Sequence, residues 1–451
     1  MNIIIVGCGK VGSTIIDLLA TEKHNIIAID KDSDKIQSLT DKYDIMGLTG
    51  SCTNYETLMS AGIERADLLI AVTSYDEVNL LCCLFARKIG KCETIARVRD
   101  PEYNRNLHYI KDDLGLTMAI NPEHAAAIEM SRVIRMPSAI EISAFAKGGV
   151  ELLKFKVNDD SKLVGMSLID ISQKIKGKVL ICVVERGDEV FIPSGPFVIA
   201  KNDLVSIIGS PRDSHTFLKD IGIYTNAIRN VMIVGGGKIG YYLASELLPL
   251  GIDVKIIESD KDRCYELADL LPQSTIINGD GTDTSLITEE GIDKVGAFVT
   301  MTGLDESNVM LSLYAKVNTK AKIITKLRNI SNNNVIKSLE LGTIVSPEKI
   351  TADNIVKYVR AKINSIGSNV ESLYKLIKDR VEAVEFYIRE ESEVVGVPLM
   401  ELPTKDNLLV ACISRGGKII RPSGRDMILI GDTVIIVTTH VGIDNIVDIL
   451  K

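Results

Sequence analysis

Residues 3–12 read Ile-Ile-Ile-Val-Gly-Cys-Gly-Lys-Val-Gly, and residues 231–240 read Val-Met-Ile-Val-Gly-Gly-Gly-Lys-Ile-Gly. The register between these segments persists along the chain. Gly62-Ile63 is matched by Gly291-Ile292, and Thr73, Asp76, Glu77 and Asn79 by Thr302, Asp305, Glu306 and Asn308. Pro193-Ser194-Gly195 recurs as Pro422-Ser423-Gly424, and Asp203 as Asp432. The offset is 228 at the first motif and 229 thereafter. One shared motif arises easily by chance; a constant offset over most of the chain does not. The 451 residues are therefore two copies of one module, roughly 1–224 and 225–451.

Within each copy the texture changes once. In the first, strand-like apolar runs at 3–6, 25–29, 44–48, 68–72 and 94–98 alternate with amphipathic stretches at 11–21, 33–41 and 77–89. Strands separated by helices predict βαβ units and a parallel sheet. Pro122 opens a further helical run to Ile134, and Pro137 is expected to end it. Beyond about residue 140, the segment 151–157 alternates, with Leu153, Phe155 and Val157 on one face, and predicts a half-exposed strand. Residues 179–184 and 190–192 flank the turn Arg186-Gly187-Asp188, and 204–208 is one more strand. Residues 408–413, 419–420 and 433–438 repeat this in the second copy. The expected fold is α/β: two Rossmann-like, doubly wound parallel-sheet domains alternating with two small α+β domains.

Gly7-Cys8-Gly9-Lys10-Val11-Gly12 follows a strand and opens a helix. In such a loop the first glycine allows a tight turn. The second admits a pyrophosphate, and the third lets helix and strand pack closely. The helix N-terminus then offers free N–H groups to phosphates. Asp30 ends the next strand, 23 residues past Gly7, where a carboxylate accepts from ribose hydroxyls and repels a 2′-phosphate. NAD is thus expected over NADP. Gly235-Gly236-Gly237-Lys238-Ile239-Gly240 and Glu258 repeat the arrangement at the same spacing. Other polar positions fall at predicted strand C-termini, where ligands bind in open α/β sheets. These are Ser51 and Asp280, Thr73 and Thr302, and Arg97 and Lys326. Arg97 can pair with a terminal phosphate; the competing reading for Arg97 and Arg99 is an ordinary surface charge. Asp76-Glu77 reads as a pair of helix N-terminal acids favouring the dipole.

Sixty acids against 52 bases give a net charge of −8, which disfavours nucleic acid as a partner. Trp is absent, so a base-stacking platform is a poor fit. Eight Cys without a CxxC are too sparse for a disulfide scaffold, Cys82-Cys83 in its apolar stretch reads as buried thiols, and five His without ligand spacing argue against zinc. The start has no basic segment before its apolar run, and no run approaches the length of a membrane helix, so a cytoplasmic protein is expected. The small domains carry no His-Asp pair, serine-nucleophile motif or metal cluster. The chain reads as a binder of nucleotide, not a catalyst.

These features resemble the regulators of Trk-type potassium uptake in bacteria and archaea, the TrkA family, built from tandem RCK (KTN) domains. The resemblance rests on the glycine loops, Asp30, the Gly50-Ser51 and Gly279-Asp280 turns, Thr73, Arg97-Val98-Arg99, Asn121-Pro122-Glu123 and the two Pro-Ser-Gly segments. It implies Rossmann domains at 1–121 and 228–347 and small C-terminal domains at 140–224 and 367–451. It further implies a non-enzymatic, peripheral subunit on the inner face of the membrane. That subunit would dock on an integral membrane potassium transporter, assemble as a homotetramer, and respond to NAD(H) or to ATP and ADP. The acid departs from strict repetition, Asp30 against Glu258, so the two sites need not take the same nucleotide. An NAD-dependent oxidoreductase and a nucleotide sensor of another partner remain the alternative readings.

Overall fold

The computed structural model describes residues 1–20, 24–136, 141–145, 149–223, 228–328, 339, 341–364, 370–377, 380–440, 443 and 445–451. Ile3, Ile4, Ile5 and Val6 are each at most 2% exposed, so the first strand is covered on both faces, as a parallel sheet flanked by helices requires. The first domain runs β1 (Asn2–Val6), α1 (Lys10–Leu19), β2 (Asn25–Asp30), α2 (Ser33–Lys42), β3 (Met46–Thr49) and α3 (Tyr55–Ser60). It continues with β4 (Leu68–Ala71), α4 (Asp76–Ile89), β5 (Glu93–Arg97), α5 (Pro101–Ile110), β6 (Met118–Ile120) and α6 (Pro122–Arg135). The sheet order is β3-β2-β1-β4-β5-β6, all parallel, and it reverses direction between β1 and β4. The sequence pattern does not reveal α3, α5 or β6.

After β7 (Glu141–Phe145) and β8 (Val150–Lys156) come α7 (Leu168–Lys174), β9 (Leu180–Arg186), β10 (Glu189–Phe191), β11 (Leu204–Gly209) and α8 (Pro211–Asp220). These strands form an antiparallel sheet ordered β10-β9-β11-β8-β7. The second Rossmann domain has β12 (Asn230–Val234), α9 (Lys238–Leu247), β13 (Asp253–Glu258), α10 (Lys261–Leu270), β14 (Thr275–Asn278) and α11 (Thr284–Glu289). There follow β15 (Ala297–Thr300), α12 (Asp305–Asn318), β16 (Lys322–Lys326), β17 (Thr343–Val345) and α13 (Pro347–Asn364). Its order, β14-β13-β12-β15-β16-β17, repeats that of the first. The last sheet is antiparallel, with β18 (Val370–Ile377), β19 (Val381–Tyr387), β20 (Leu408–Arg415), β21 (Lys418–Ile420) and β22 (Thr433–Thr438). The fold class expected from the sequence is the one observed. Pro137 and the boundary positions 140, 224 and 367 lie outside the described residues.

The chain forms two compact units, and each collects like with like. One holds residues 1–134 and 228–356, the two Rossmann domains; the other holds 135–227 and 357–451, the two small domains. In the first unit, Ala126, Ala127, Met130 and Ile134 of α6 share a buried cluster with Tyr242, Leu243 and Leu247 of α9 and the second sheet. Asn121 Nδ2 donates to the Tyr242 hydroxyl across this junction at 2.9 Å.

The second unit corrects the half-exposed reading of 151–157. Leu153, Phe155 and Val157 do face a core with Ile171, Phe217 and Leu218 of α7 and α8. The opposite face of β8, Val150 and Leu152, is buried as well. It packs with Val381, Ala383, Cys412 and Ile435 of the other small sheet. The first half of β8 is thus covered by helices on one side and a sheet on the other, and its second face reaches solvent only at Lys154 and Lys156. The repeat match Asp203/Asp432 is structural: each carboxylate is 0% exposed and takes two 2.8 Å hydrogen bonds from an arginine, Arg186 or Arg415. Bidentate pairing is what makes a fully buried carboxylate tolerable.

Candidate functional site: two glycine-loop crevices

The first glycine loop combines a tight turn, an open second position and a close helix–strand approach. Gly7 has φ +92°, and a Cβ there would lie 2.8 Å from the Thr73 nitrogen. A Cβ on Gly9 would meet nothing within 4 Å, so this position opens onto free space. A Cβ on Gly12 would lie 1.9 Å from the Gly7 carbonyl oxygen, an approach only glycine allows. In the second copy Gly235 has φ +111°, Gly237 is open, and a Cβ on Gly240 would lie 2.5 Å from the Gly235 oxygen. Neither α1 nor α9 has a side-chain cap, whereas α2, α3 and α5 are capped by Asp32, Asn54 and Asp100. The first-turn N–H groups of α1 and α9 have no intrahelical acceptor.

The acids at the ends of β2 and β13 brace the loops. Asp30 Oδ2 accepts from the Cys8 N–H at 2.6 Å and Oδ1 from the Asp32 N–H at 3.0 Å. Glu258 Oε2 accepts from the Gly236 N–H at 2.7 Å and Oε1 from the Asp260 N–H at 2.9 Å. A carboxylate has about four lone-pair sites, so capacity remains for ligand hydroxyls. Cys8 contributes its backbone; burial pushes its thiol up to about 12.

Across the crevice, Thr73 and Thr302 are held in identical ways. The Thr73 N–H and hydroxyl both donate to Asn79 Oδ1, at 2.8 and 2.7 Å, and Asn79 Nδ2 donates to the Arg97 carbonyl at 2.9 Å. Asn308 makes the same bonds to Thr302 and the Lys326 carbonyl. Both asparagines are 0% exposed and pin the end of the fourth strand to the end of the fifth. In the sequence they stand out only as repeat matches; the signal for their role is a polar residue on the apolar face of a helix.

Arg97 is no ordinary surface charge. It is half-buried, Nη2 donates to the Thr73 carbonyl at 2.6 Å, and burial pulls the guanidinium down from its usual value. Arg99 pairs with Glu123 at 2.7 Å. Asp76 lies in the first turn of α4, as the helix-dipole reading expects, and does more besides. It is 8% exposed, and Oδ2 accepts from the Arg99 and Asp100 N–H groups, both at 2.8 Å. It thereby fixes the loop that carries Arg99.

Two cavities result, of about 520 and 490 Å³. The first is lined by Gly7, Gly9, Lys10, Val11, Asp30, Thr73 and Arg97 among the residues singled out by sequence. The second is lined by Gly235, Gly237, Lys238, Ile239, Gly240, Glu258, Asp280, Thr302 and Lys326. Ser51 does not line the first crevice; Gly50 and Cys52 do, and its hydroxyl lies 3.0 Å from that of Thr53. Cys8, Gly12 and Gly236 stand behind the lining and shape it. Lys31, Lys35, Arg99, Lys326 and Arg328 join Lys10 and Arg97 around the first crevice, seven cations against Asp30, Glu123 and Glu348. In a chain of net charge −8 this is a local concentration of positive charge. Arg99, Glu123, Ile239, Lys326 and Arg328 line both cavities, so each crevice is completed by the other copy. Arg328 and Glu348 are the second-copy counterparts of Arg99 and Glu123 in the repeat, but no sequence motif signals this exchange.

Fold and crevices together define a protein with tandem Rossmann-type domains, each with a small antiparallel companion. The TrkA-N domain model matches residues 3–122 and 231–347, and the TrkA-C domain model matches 152–222 and 383–451. The chain belongs to the TrkA family, with its domains in the order N-C-N-C. It is 32% identical to Trk system potassium uptake protein TrkA homolog 1 of Methanosarcina mazei, over 97% of each chain. It is 32% identical to the TrkA homolog of Archaeoglobus fulgidus, over the whole of both, and 30% identical to TrkA of Halomonas elongata, over 97% of this chain and 95% of that one. Among solved structures, the GsuK channel bound to NAD superposes with a TM-score of 0.65 at 17% identity, covering 97% of this chain and 76% of that one. The GsuK RCK domain gives the same score and identity over 97% and 92%. These structures share the fold.

Proposed function

We propose that this chain is a nucleotide-sensing regulator of a membrane potassium transport system. The observation that carries the reading is the double crevice. Each has an open second glycine, an uncapped helix N-terminus, a loop-bracing acid and a wall of cations shared with the other copy. Such a site suits a dinucleotide or adenine nucleotide, with the pyrophosphate on the helix N-terminus and the ribose at Asp30 or Glu258. The ligands expected are NAD(H), with ATP and ADP as competitors. The family's named members belong to Trk potassium uptake systems. The chain carries no helix long and apolar enough to cross a membrane among the described residues. The proposed mode of action is therefore peripheral: a homotetramer docked on the inner face of an integral potassium transporter, acting by binding and not by turnover.

A ligand acts on the pore only through its difference in affinity for two arrangements of the Rossmann unit. Coupling of about 1–3 kcal/mol per site is typical, and several sites in a ring add up to a usable gate. Potassium flux through the reconstituted transporter, with and without this protein, across ATP, ADP, NAD and NADH tests the reading. Flux that ignores all four nucleotides defeats it. Steady NADH oxidation with a small substrate would favour an oxidoreductase instead.

A further inference from the structure

Lys326 ends β16 at the position Arg97 holds at the end of β5. Each donates to the matching carbonyl, Arg97 Nη2 to Thr73 and Lys326 Nζ to Thr302, both at 2.6 Å. Lys326 Nζ also donates to the Met301 carbonyl at 3.3 Å. An ammonium has three donors, and the third has no protein acceptor among the described residues. The side chain is 4% exposed, yet it lines both crevices, whereas Arg97 lines only the first.

We propose that Lys326 is a phosphate-binding group common to both crevices, and that an anion entering either one draws a solvent proton onto it. This rests on the reading of the crevices as nucleotide sites. Burial and the neighbouring Arg328 push the Lys326 ammonium down to about 8, against the opposing pull of Asp305 on α12, Glu348 on α13 and Glu123 on α6. A phosphate replaces the lost solvation and restores the charge. The first copy has no such response at this position, because an arginine stays charged throughout. The repeat's change from Arg97 to Lys326 thus makes one member of the shared wall titratable.

The test is calorimetric titration of the full-length protein with ADP and NADH from pH 7 to 9.5, in buffers of different ionisation enthalpy. Gly9→Arg and Gly237→Arg isolate the second and first crevices, since both positions open onto free space. Proton uptake should appear near pH 8 in each isolated crevice. Affinity should fall above that pH, by at most tenfold per unit for one linked proton. Lys326→Arg should abolish the uptake and flatten the profile while binding persists. Lys326→Met should weaken both crevices tenfold or more at pH 7. Binding without proton uptake, or a Lys326→Met effect confined to the second crevice, overturns the proposal alone. Absence of any binding by the unaltered protein overturns the nucleotide reading and the proposal with it.

Discussion

At the end of the fifth strand the first Rossmann domain carries Arg97 and the second Lys326; at the end of the second strand they carry Asp30 and Glu258. Beneath these side chains the two sheets share strand order, loop conformation and the buried asparagine clamp. The surroundings of the two glycine loops differ more. Seven cations line the first crevice, but only Arg99, Lys238, Lys326 and Arg328 line the second, against three carboxylates in each. In the second, Lys238 lies 3.7 Å from Asp100, and Arg263 donates to the Gly236 carbonyl at 2.8 Å. Its counterpart Lys35 instead pairs with Asp32 and faces the first crevice. Duplication preserved what holds the backbone and released what lines the crevices. The first crevice is the stronger attractor for a highly charged anion, and ATP should prefer it to the second.

The comparison breaks most directly with Gly9→Arg and Gly237→Arg. Each should abolish binding in its own crevice, by a hundredfold or more, about 2.7 kcal/mol, while leaving the other occupied. Two binding events surviving either substitution in calorimetry would dissolve the assignment. Next come Gly12→Ala and Gly240→Ala, each expected to cost about 1–3 kcal/mol by overpacking. Gly12→Ala should cost more, because its methyl would meet a carbonyl at 1.9 Å against 2.5 Å. Urea unfolding that ranks them the other way would contradict the geometry.

Lys326→Met carries the third effect, and its sign is opposite. The folded ammonium titrates at about 8, below the ~10.4 of an unfolded lysine. Between those values the unfolded chain binds more protons, so stability rises with pH across that window. Removing the ammonium should therefore stabilise the ligand-free protein at pH 7, by about 1–2 kcal/mol after the lost hydrogen bonds are counted. The gain should fade toward pH 10. A destabilised variant at pH 7 would show that the carbonyl bonds outweigh the burial. The smallest effect should come from Asp30→Asn and Glu258→Gln. Each swaps an ionic acceptor for a neutral one behind the loop and should weaken its own site by about 1 kcal/mol. Equal responses to NAD and ATP in both variants would remove the acid's length as a source of selectivity.

Much of this is legible in the amino-acid sequence. The glycine spacing, the acid at the end of the next strand and the constant offset are local or periodic signals, read directly from residue order. So is the burial of Cys82 and Cys83; the structure buries the other six Cys as well, all without a disulfide. The missed features depend on what a segment packs against. β6 is three residues long and has too little alternation to register. Asp76 looked like a dipole acid because its partners, Arg99 N and Asp100 N, lie 23 and 24 residues on. The half-exposed reading of 151–157 presumes one wet face, and the sheet that covers Leu152 belongs to the other copy.

Residue order alone determined the duplication, the Rossmann topology and the loop-and-acid chemistry of each copy. Those depend on steric demands that a turn or helix start imposes within about 25 residues. Only the tertiary structure decided that the copies complete each other, with Lys326 and Arg328 reaching the first crevice and Arg99 and Glu123 the second. No periodicity encodes that exchange. It follows from burying the apolar face of α6 against α9, which is a property of two surfaces and of neither sequence segment by itself.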